Sequence, residues 1–119
     1  MICRGDVYWV NLDDVYKQVE GTHHQRGTRP CVVVSNNKNN RNSSIITVVP
    51  LTTKRDNLPQ HKSIMLENKR NYVLPEHIVS ISKSDLLLKF GRLDSRKFIQ
   101  VEKSIMIQLG LYGRRRHDK

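Results

Sequence analysis

Cysteine, acidic residues and long apolar runs are all scarce in this chain of 119 residues. Its two cysteines, Cys3 and Cys31, cannot make the disulfide framework of a small secreted domain. No apolar run approaches the roughly 20 residues that a membrane-spanning helix needs. The opening MICRGDVYWV lacks the basic, apolar and small-residue regions of a signal peptide. We therefore expect a cytoplasmic protein that does not bind membranes.

The shortage of acidic residues leaves the chain strongly basic. It has 11 Asp plus Glu against 21 Lys plus Arg, a formal net charge of +10. Such an excess favours a polyanionic partner, which is nucleic acid, an anionic membrane or an acidic protein. The membrane is the weakest of the three, since no amphipathic helix with a basic face is evident. A protein that is merely basic is the plain alternative.

Strand patterns fill the first two-thirds of the chain. Short runs rich in Val, Ile and aromatic residues predict five strands, over residues 6–12, 30–35, 44–51, 62–66 and 77–81. Pro50 should mark an edge or a bulge of the third strand, because it has no N–H to donate. The asparagine-rich segment 36–44 is predicted to be a connection, and residues 67–71 a turn.

Helix patterns gather near the C-terminus. Ser82 and Asp85 have the spacing of a capping box ahead of LLLKF, and Gly91 offers an end to this first helix. A second helix is predicted within residues 94–111, where apolar residues recur every three or four positions. Gly110 follows the last of them and should end that helix.

The order of these elements predicts one domain over residues 1–119, of the α+β class. It should be mainly β, a small curled barrel or half-barrel with the C-terminal helix at one side. The basic residues 113–119 are expected to form a flexible tail. Two long loops, 13–29 and 52–62, are rich in Arg, Lys, His and Thr. Connections of this length in a compact domain are often functional.

Three motifs occur in order: RGDVYWVNL at residues 4–12, RGTRPCVVVSN at 26–36 and VVPLTT at 48–53. Together with LPEHIVSISKSDLLLKFGRL at 74–93, they resemble the MazF/PemK (Kid) family of toxin endoribonucleases. The resemblance implies an SH3-like barrel of the CcdB/MazF/Kid type that forms a homodimer. It also implies metal-independent cleavage of single-stranded RNA, leaving 2′,3′-cyclic phosphate and 5′-hydroxyl ends. A cognate acidic antitoxin is the second partner that it implies.

The same resemblance implies that Arg29 and Thr52 are the central pair of the active site. Cleavage needs a base for the 2′-hydroxyl, stabilisation of the phosphorane charge and an acid for the 5′-oxygen. Arg29 suits the second task, because its planar guanidinium can hold two phosphate oxygens and Pro30 restricts the chain beside it. Thr52 and the adjacent Thr53 can donate hydroxyls to the same phosphate. A structural arginine that pairs with an acidic neighbour is the alternative.

The general base is left open by the sequence. Arg29 keeps its proton at neutral pH, so another group must accept the 2′ proton. Glu20 and His61 are the catalytic candidates, with His23 and His24 close to Glu20 in the first loop. Histidine suits this work because it titrates near the working pH.

A basic groove for RNA is also predicted. Its candidate residues are Thr53, Lys54, Arg55, Lys62 and His24. Tyr8 or Trp9 can stack on bases, although alternation along the strand should bury one of the two.

No metal or other cofactor is predicted, since His23, His24 and Cys31 lack the spacing of a zinc site. Two other functions stay open. One is a non-catalytic gyrase poison like the CcdB toxins, and the other is an RNA-binding module without chemistry. The pair of Arg29 and Thr52 favours cleavage, because a pure binding protein has no evident need for it.

Overall fold

The computed structural model describes residues 1–15 and 27–111 of the chain. Within these ranges one sheet carries all the strands, which are β1 (Asp6–Asn11), β2 (Thr28–Val33), β3 (Ile45–Thr52), β4 (Ser63–Leu66), β5 (Lys69–Val73), β6 (Val79–Ser82) and β7 (Leu86–Arg92). The helices are α1 (Leu12–Val15), α2 (Asn37–Asn42) and α3 (Ser95–Leu109), and 3-10 turns cover Pro75–His77 and Lys83–Asp85. None of the described helices is long and apolar enough to span a bilayer.

Strand β3 lies at the centre of the sheet. On one side it pairs with β2, and on the other it pairs with β6 along its first half and with β5 along its second half. Strands β1 and β7 extend the sheet beyond β2, and β4 extends it beyond β5. All of these pairings are antiparallel. The result is the mainly β architecture with a C-terminal helix that the sequence predicts.

Pro50 lies inside the central strand, not at the edge or bulge that the sequence predicts. Its position falls between the β6 pairing, which ends at Val48, and the β5 pairing, which begins at Leu51. The Leu74 N–H donates to the Pro50 carbonyl at 3.0 Å and fills part of this interval. A residue without an N–H is tolerated here because the partner strand changes at this point.

The apolar runs of β2 and β3 are buried on both faces of the sheet. Alternate side chains of a strand point to opposite faces and here enter two separate cores. The first core includes Val32, Val49, Leu51 and, from α3, Val101. The second includes Cys31, Val33, Ile46, Val48 and Leu12. Burial on both faces explains why Val32 and Val33 of β2 follow one another with no polar residue between them.

Helix α3 forms where the apolar spacing predicts it. The Asp94 carboxylate caps its start by accepting a hydrogen bond from the Lys97 N–H at 2.9 Å. Gly110 ends it in the left-handed conformation, with φ at 68°. Phe98, Val101 and Ile105 lie on the side that faces the first core.

The segment predicted as the first helix is strand β7 instead. The capping box of Ser82 and Asp85 does form, but it caps only the 3-10 turn Lys83–Asp85. Residues Leu86–Arg92 then pair with β1, with irregular register near Tyr8. LLLKF lacks a helical stripe, so pairing with β1 decides its structure over the weak helix propensity of leucine.

The predicted turn at residues 67–71 is shorter than expected. Only Glu67 and Asn68 turn, with φ at 47° and 67°, and the chain continues at once as β5. Two residues of positive φ make the tight connection that antiparallel strands favour. Strand β6 begins two residues later than predicted, because Pro75–His77 forms a 3-10 turn.

The asparagine-rich segment contains helix α2, where a connection was predicted. The Asn36 side chain accepts a hydrogen bond from the Asn39 N–H at 2.8 Å and caps the helix. Asn40 is buried, and its amide donates to the Ser35 carbonyl at 2.8 Å. These asparagines therefore begin and anchor a short helix.

Candidate active site

Arg29 lies where β2 passes from solvent into the core. Thr28 is exposed and Arg29 and Pro30 are half-buried, whereas Cys31, Val32 and Val33 are fully buried. Arg29 is opposite Val10 of β1 in the register of the sheet. The buried strand thus fixes the backbone that carries the guanidinium, and the charge itself stays at the surface.

Arg29 and Thr52 line the same cavity of about 300 Å³. Strands β2 and β3 are not paired at these two positions, but both reach the same end of the sheet. The cavity is lined by Trp9, Thr28, Arg29, Pro30, Leu51, Thr52, Thr53, Leu66, Glu67, Lys69, Asn71 and Phe90. We call it the Arg29 pocket. Three predicted residues, Arg29, Thr52 and Thr53, therefore come together.

Thr52 is held firmly at the wall of the Arg29 pocket. It is 8% exposed and opposite Tyr72 of β5. Its hydroxyl oxygen accepts a hydrogen bond from the Lys54 N–H at 3.1 Å. Accepting this bond uses an oxygen lone pair, so the hydroxyl proton can still be donated to an anion in the pocket.

One wall of the Arg29 pocket is aromatic. The rings of Trp9 and Phe90 lie 5.4 Å apart between centroids and are tilted by 57°. Trp9 is half-buried and lines the pocket, whereas Tyr8 packs against the second core. Of the two aromatic residues of β1, Trp9 is therefore the one placed to stack on a base.

The β4–β5 hairpin supplies pocket residues that the sequence analysis missed, namely Glu67, Lys69 and Asn71. Glu67 and Lys69 are exposed, and Asn71 is buried. The sequence signal for this hairpin is two short apolar runs, one on each side of Glu67–Asn68.

The other predicted RNA-binding residues are divided between two places. Lys54 and Arg55 are exposed at the start of the loop that follows Thr53. Lys62, at the other end of the loop, lines a separate apolar cavity of about 440 Å³ against α3, together with Lys103. Glu20, His23, His24 and the tail 113–119 lie outside the described residues, and these assignments stay predictions.

His61 is not among the residues that line the Arg29 pocket. Its side chain is 3% exposed and lies between the carboxylates of Asp56 and Glu76. Nδ1 is 2.7 Å from Asp56, and Nε2 is 2.7 Å from the nearer oxygen of Glu76. Both ring nitrogens thus contact carboxylates, and in this arrangement neither is free to accept a proton from a substrate.

Asp56 also receives the Leu58 backbone N–H at 2.9 Å. That hydrogen bond is the main reason why the pKa of the Asp56 carboxyl is lowered from its ordinary value of 3.8. Desolvation, the next-largest cause, raises this pKa, and the contacts with His61 and then Lys54 lower it again. Asp56 therefore stays ionised in moderately acidic solution.

A larger cavity of about 750 Å³ lies elsewhere, beside Arg4. Arg4 is already engaged there: its Nε donates to the Val34 carbonyl at 3.0 Å, and it pairs with Glu102 at 3.1 Å. Its guanidinium also stacks 4.5 Å from the Phe98 ring centroid. These contacts tie the N-terminus to α3, and none of the predicted site residues lines this cavity.

Within residues 1–15 and 27–111, no three His, Cys, Asp or Glu side chains are grouped so as to hold a metal ion.

Comparison with known proteins decides the family. Residues 3–109 match the model of the PemK-like, MazF-like toxins of type II toxin–antitoxin systems. The chain belongs to this toxin family. The resemblance read from the three sequence motifs is thereby confirmed.

Individual members of the PemK/MazF family are similar over their whole length. The Endoribonuclease MazF of Staphylococcus saprophyticus is 32% identical over 123 residues, which cover 98% of each chain. An endoribonuclease from a mycobacterial species, solved in complex with its cognate antitoxin, is 25% identical with a TM-score of 0.77; the match covers 96% of this chain and 100% of that one. MazF of Deinococcus radiodurans, 20% identical with a TM-score of 0.74 over 92% and 96% of the two chains, shares the fold. The predicted fold class is confirmed by these matches.

Proposed function

We propose that this PemK/MazF-like toxin is an endoribonuclease that cuts single-stranded RNA without a metal. The observation that carries the proposal is the meeting of Arg29 with Thr52 and Thr53 in one pocket of about 300 Å³. The similar Staphylococcus protein is named an endoribonuclease, which supports the same activity here. Cleavage at short sequences of mRNA would stop translation and growth, and we place the toxin in the cytoplasm, where mRNA is translated.

In the proposed reaction the 2′-oxygen attacks the phosphorus and the P–O5′ bond breaks. The products are a 2′,3′-cyclic phosphate and a 5′-hydroxyl. Arg29 holds the non-bridging oxygens of the phosphorane with its guanidinium, and Thr52 donates its hydroxyl to the same group. The 2′ proton passes to a base and the 5′-oxygen receives a proton. The identity of the base stays open, and Glu20, His23 and His24 stay candidates from the sequence alone.

RNA is proposed to enter the Arg29 pocket across the first residues of the loop after β3. Lys54 and Arg55 stand exposed there, and Lys69 lines the pocket from the opposite hairpin. Trp9 offers a ring face for a base, as in other proteins that bind single strands. We infer that the same basic surface accepts the acidic antitoxin and that the toxin acts as a homodimer. The complex of the similar mycobacterial endoribonuclease with its antitoxin supports the first inference.

The experiment that tests this function is cleavage of a long unstructured RNA in EDTA, with the product ends mapped. We compare the wild type with Arg29→Lys and Thr52→Val, which keep charge and shape respectively. Arg29→Lys should lower kcat by roughly 100-fold or more, because a point charge replaces the planar fork. Thr52→Val should lower kcat by roughly tenfold.

Three results would overturn the proposal. One is cleavage that stops in EDTA, which would place a metal in the reaction. Another is full activity of Arg29→Lys. The third is a folded wild type that arrests growth without cutting RNA, which would favour the gyrase poison or the binding module.

A further inference from the structure

The loop between β3 and β4 carries two exposed cations beside the Arg29 pocket, yet it has no helix or strand. It runs over residues 53–62, and we call it the cation loop. Lys54 and Arg55 follow Thr53, which lines the pocket. A mobile loop with long charged side chains must be ordered when it binds RNA, and this ordering costs entropy and weakens binding. What holds this loop is therefore relevant to RNA binding.

His61 holds the cation loop to itself and to a neighbouring turn. Its Nδ1 is 2.7 Å from both oxygens of Asp56, which is five residues earlier in the same loop. Its Nε2 is 2.8 and 2.7 Å from the oxygens of Glu76, in the 3-10 turn that precedes β6. A neutral imidazole has only one N–H, so the ring can donate to both carboxylates only when both ring nitrogens carry protons. We call the three residues the His61 clamp.

Further hydrogen bonds brace the same part of the cation loop. The His61 N–H donates to the Leu58 carbonyl at 3.0 Å, which closes a turn within the loop. The Gln60 amide donates to Gln108 of α3 at 3.3 Å, and the Lys62 N–H donates to the Ser104 hydroxyl at 3.2 Å. The C-terminal half of the loop is therefore fixed, and its first residues extend from this base.

Several basic residues follow the residues of the His61 clamp in the chain or act on them. Lys54 acts on Asp56 through its charge. His77 follows Glu76 in the same turn, and Lys62 follows His61 in the chain. On the side of α3, Lys103 lines the cavity that Lys62 also lines. Two carboxylates against one imidazolium leave a negative charge, which offsets part of this surrounding charge.

We propose that His61 is a positioning residue for RNA cleavage, a bridge between Asp56 and Glu76 that holds Lys54 and Arg55 at the rim of the Arg29 pocket. The role rests on the proposed nuclease function. It differs from catalysis by His61, because both ring nitrogens are occupied by carboxylates and the ring does not line the pocket.

The test relies on two effects that change RNA binding in opposite directions when a carboxylate is removed. Removing any carboxylate makes the protein more basic, so general electrostatics predicts tighter RNA binding. Loss of the clamp predicts weaker binding. For Glu76→Ala we expect KM for a short RNA substrate to rise roughly 3- to 10-fold with kcat within about twofold of the wild type. Glu76→Gln keeps an oxygen that can accept a hydrogen bond from Nε2, so its KM should lie between those of the wild type and Glu76→Ala.

Glu102→Ala is the matched control. Glu102 pairs with Arg4, as Glu76 pairs with His61, and the Glu102 side chain is 39% exposed against 30% for Glu76. It lines no part of the Arg29 pocket. Its KM should stay unchanged or fall slightly. Asp56→Asn is the second variant, since its amide oxygen can still accept the Leu58 N–H while the charge toward His61 is lost.

Nitrogen NMR of the His61 ring gives a readout that does not depend on RNA. A ring that donates to both carboxylates carries protons on both nitrogens, and Asp56→Asn should reduce that signature. A neutral ring in the wild type, or an unchanged KM in Glu76→Ala, would overturn the clamp. A fall in kcat alone would also overturn it, by making the cluster catalytic. A wild type that does not cut RNA would instead refute the proposed function.

Discussion

At the scale of single residues, β2 shows how a charged site is built on a core strand. Arg29 and Cys31 are two positions apart, but one lines a pocket and the other is fully buried. The Cys31 thiol donates to the Arg29 carbonyl at 3.7 Å, so a hydrogen bond also joins the buried side chain to the backbone of Arg29. A rigid buried neighbour limits the movement of Arg29, which is the preorganisation that stabilisation of a phosphorane requires.

The buried thiol gives a prediction of its own. Burial raises the pKa of Cys31 from an ordinary 9.0 to about 12, so the thiol stays protonated at neutral pH. In the folded protein at pH 8, a thiol reagent should modify Cys3, which is half-buried, and leave Cys31 unmodified. Because the folded pKa is raised, the stability linked to this group is complete below pH 9 and is lost as pH rises toward 12.

Mass spectrometry of the modified peptides checks the prediction, with denatured protein as the control in which both thiols react. Rapid labelling of Cys31 in the folded state would contradict the burial of β2.

At the scale of elements, the sequence predicted the strands with strong apolar runs and missed those defined by pairing. Strands β1, β2 and β3 and helix α3 were recognisable because their side chains enter cores. The sequence pattern predicts a helix where β7 lies, since a capping box precedes it and its pairing with β1 is a long-range contact that no local pattern shows. The pocket wall made by β5 was missed for the same reason.

The candidate site was predicted in part. Arg29 and Thr52 were paired by the motif resemblance and Thr53 was added as the neighbour of Thr52, and all three line one pocket. Lys69 could not be predicted for this pocket, because its position depends on the hairpin folding over the end of β2. His61 was predicted as a catalytic candidate from its residue type, but its two carboxylate partners are 5 and 15 positions away and are brought to it only by the fold.

The cation loop should respond to acid before the sheet does. The pKa of Asp56 is lowered mainly by the Leu58 N–H, so Asp56 stabilises the folded loop above its ordinary value of 3.8. This stability is lost as pH falls through the lower folded value. The Leu58 amide resonance should therefore shift with a midpoint below 3.8, while amides of β2 and β3 change little there.

Asp56→Asn serves as the control, because it lacks the titrating group and its Leu58 resonance should not follow this transition. A midpoint at or above 3.8 in the wild type would mean that the hydrogen bond to Asp56 does not form in solution.

At the scale of the whole molecule, a net charge of +10 explains attraction to RNA but does not say where RNA lies. The basic residues are spread over several surfaces, such as α2 with Lys38 and Arg41 and the cavity of Lys62 and Lys103. Only some of them border the Arg29 pocket. The proposed RNA path therefore requires that nearby cations contribute more than distant ones of equal charge.

Salt dependence separates local contacts from overall charge. Each phosphate contact on a single strand adds about −0.7 to the slope of log K against log salt. The double variant Lys54→Gln with Arg55→Gln should therefore flatten the slope by about 1.4, if both residues meet phosphates. The double variant Lys38→Gln with Arg41→Gln removes the same charge from α2 and should change the slope far less. Fluorescence anisotropy of a labelled RNA measures both slopes, in an Arg29→Lys background that slows cutting. Equal flattening by the two pairs would mean that RNA is held by the general charge of the protein, and the path across the cation loop would be wrong.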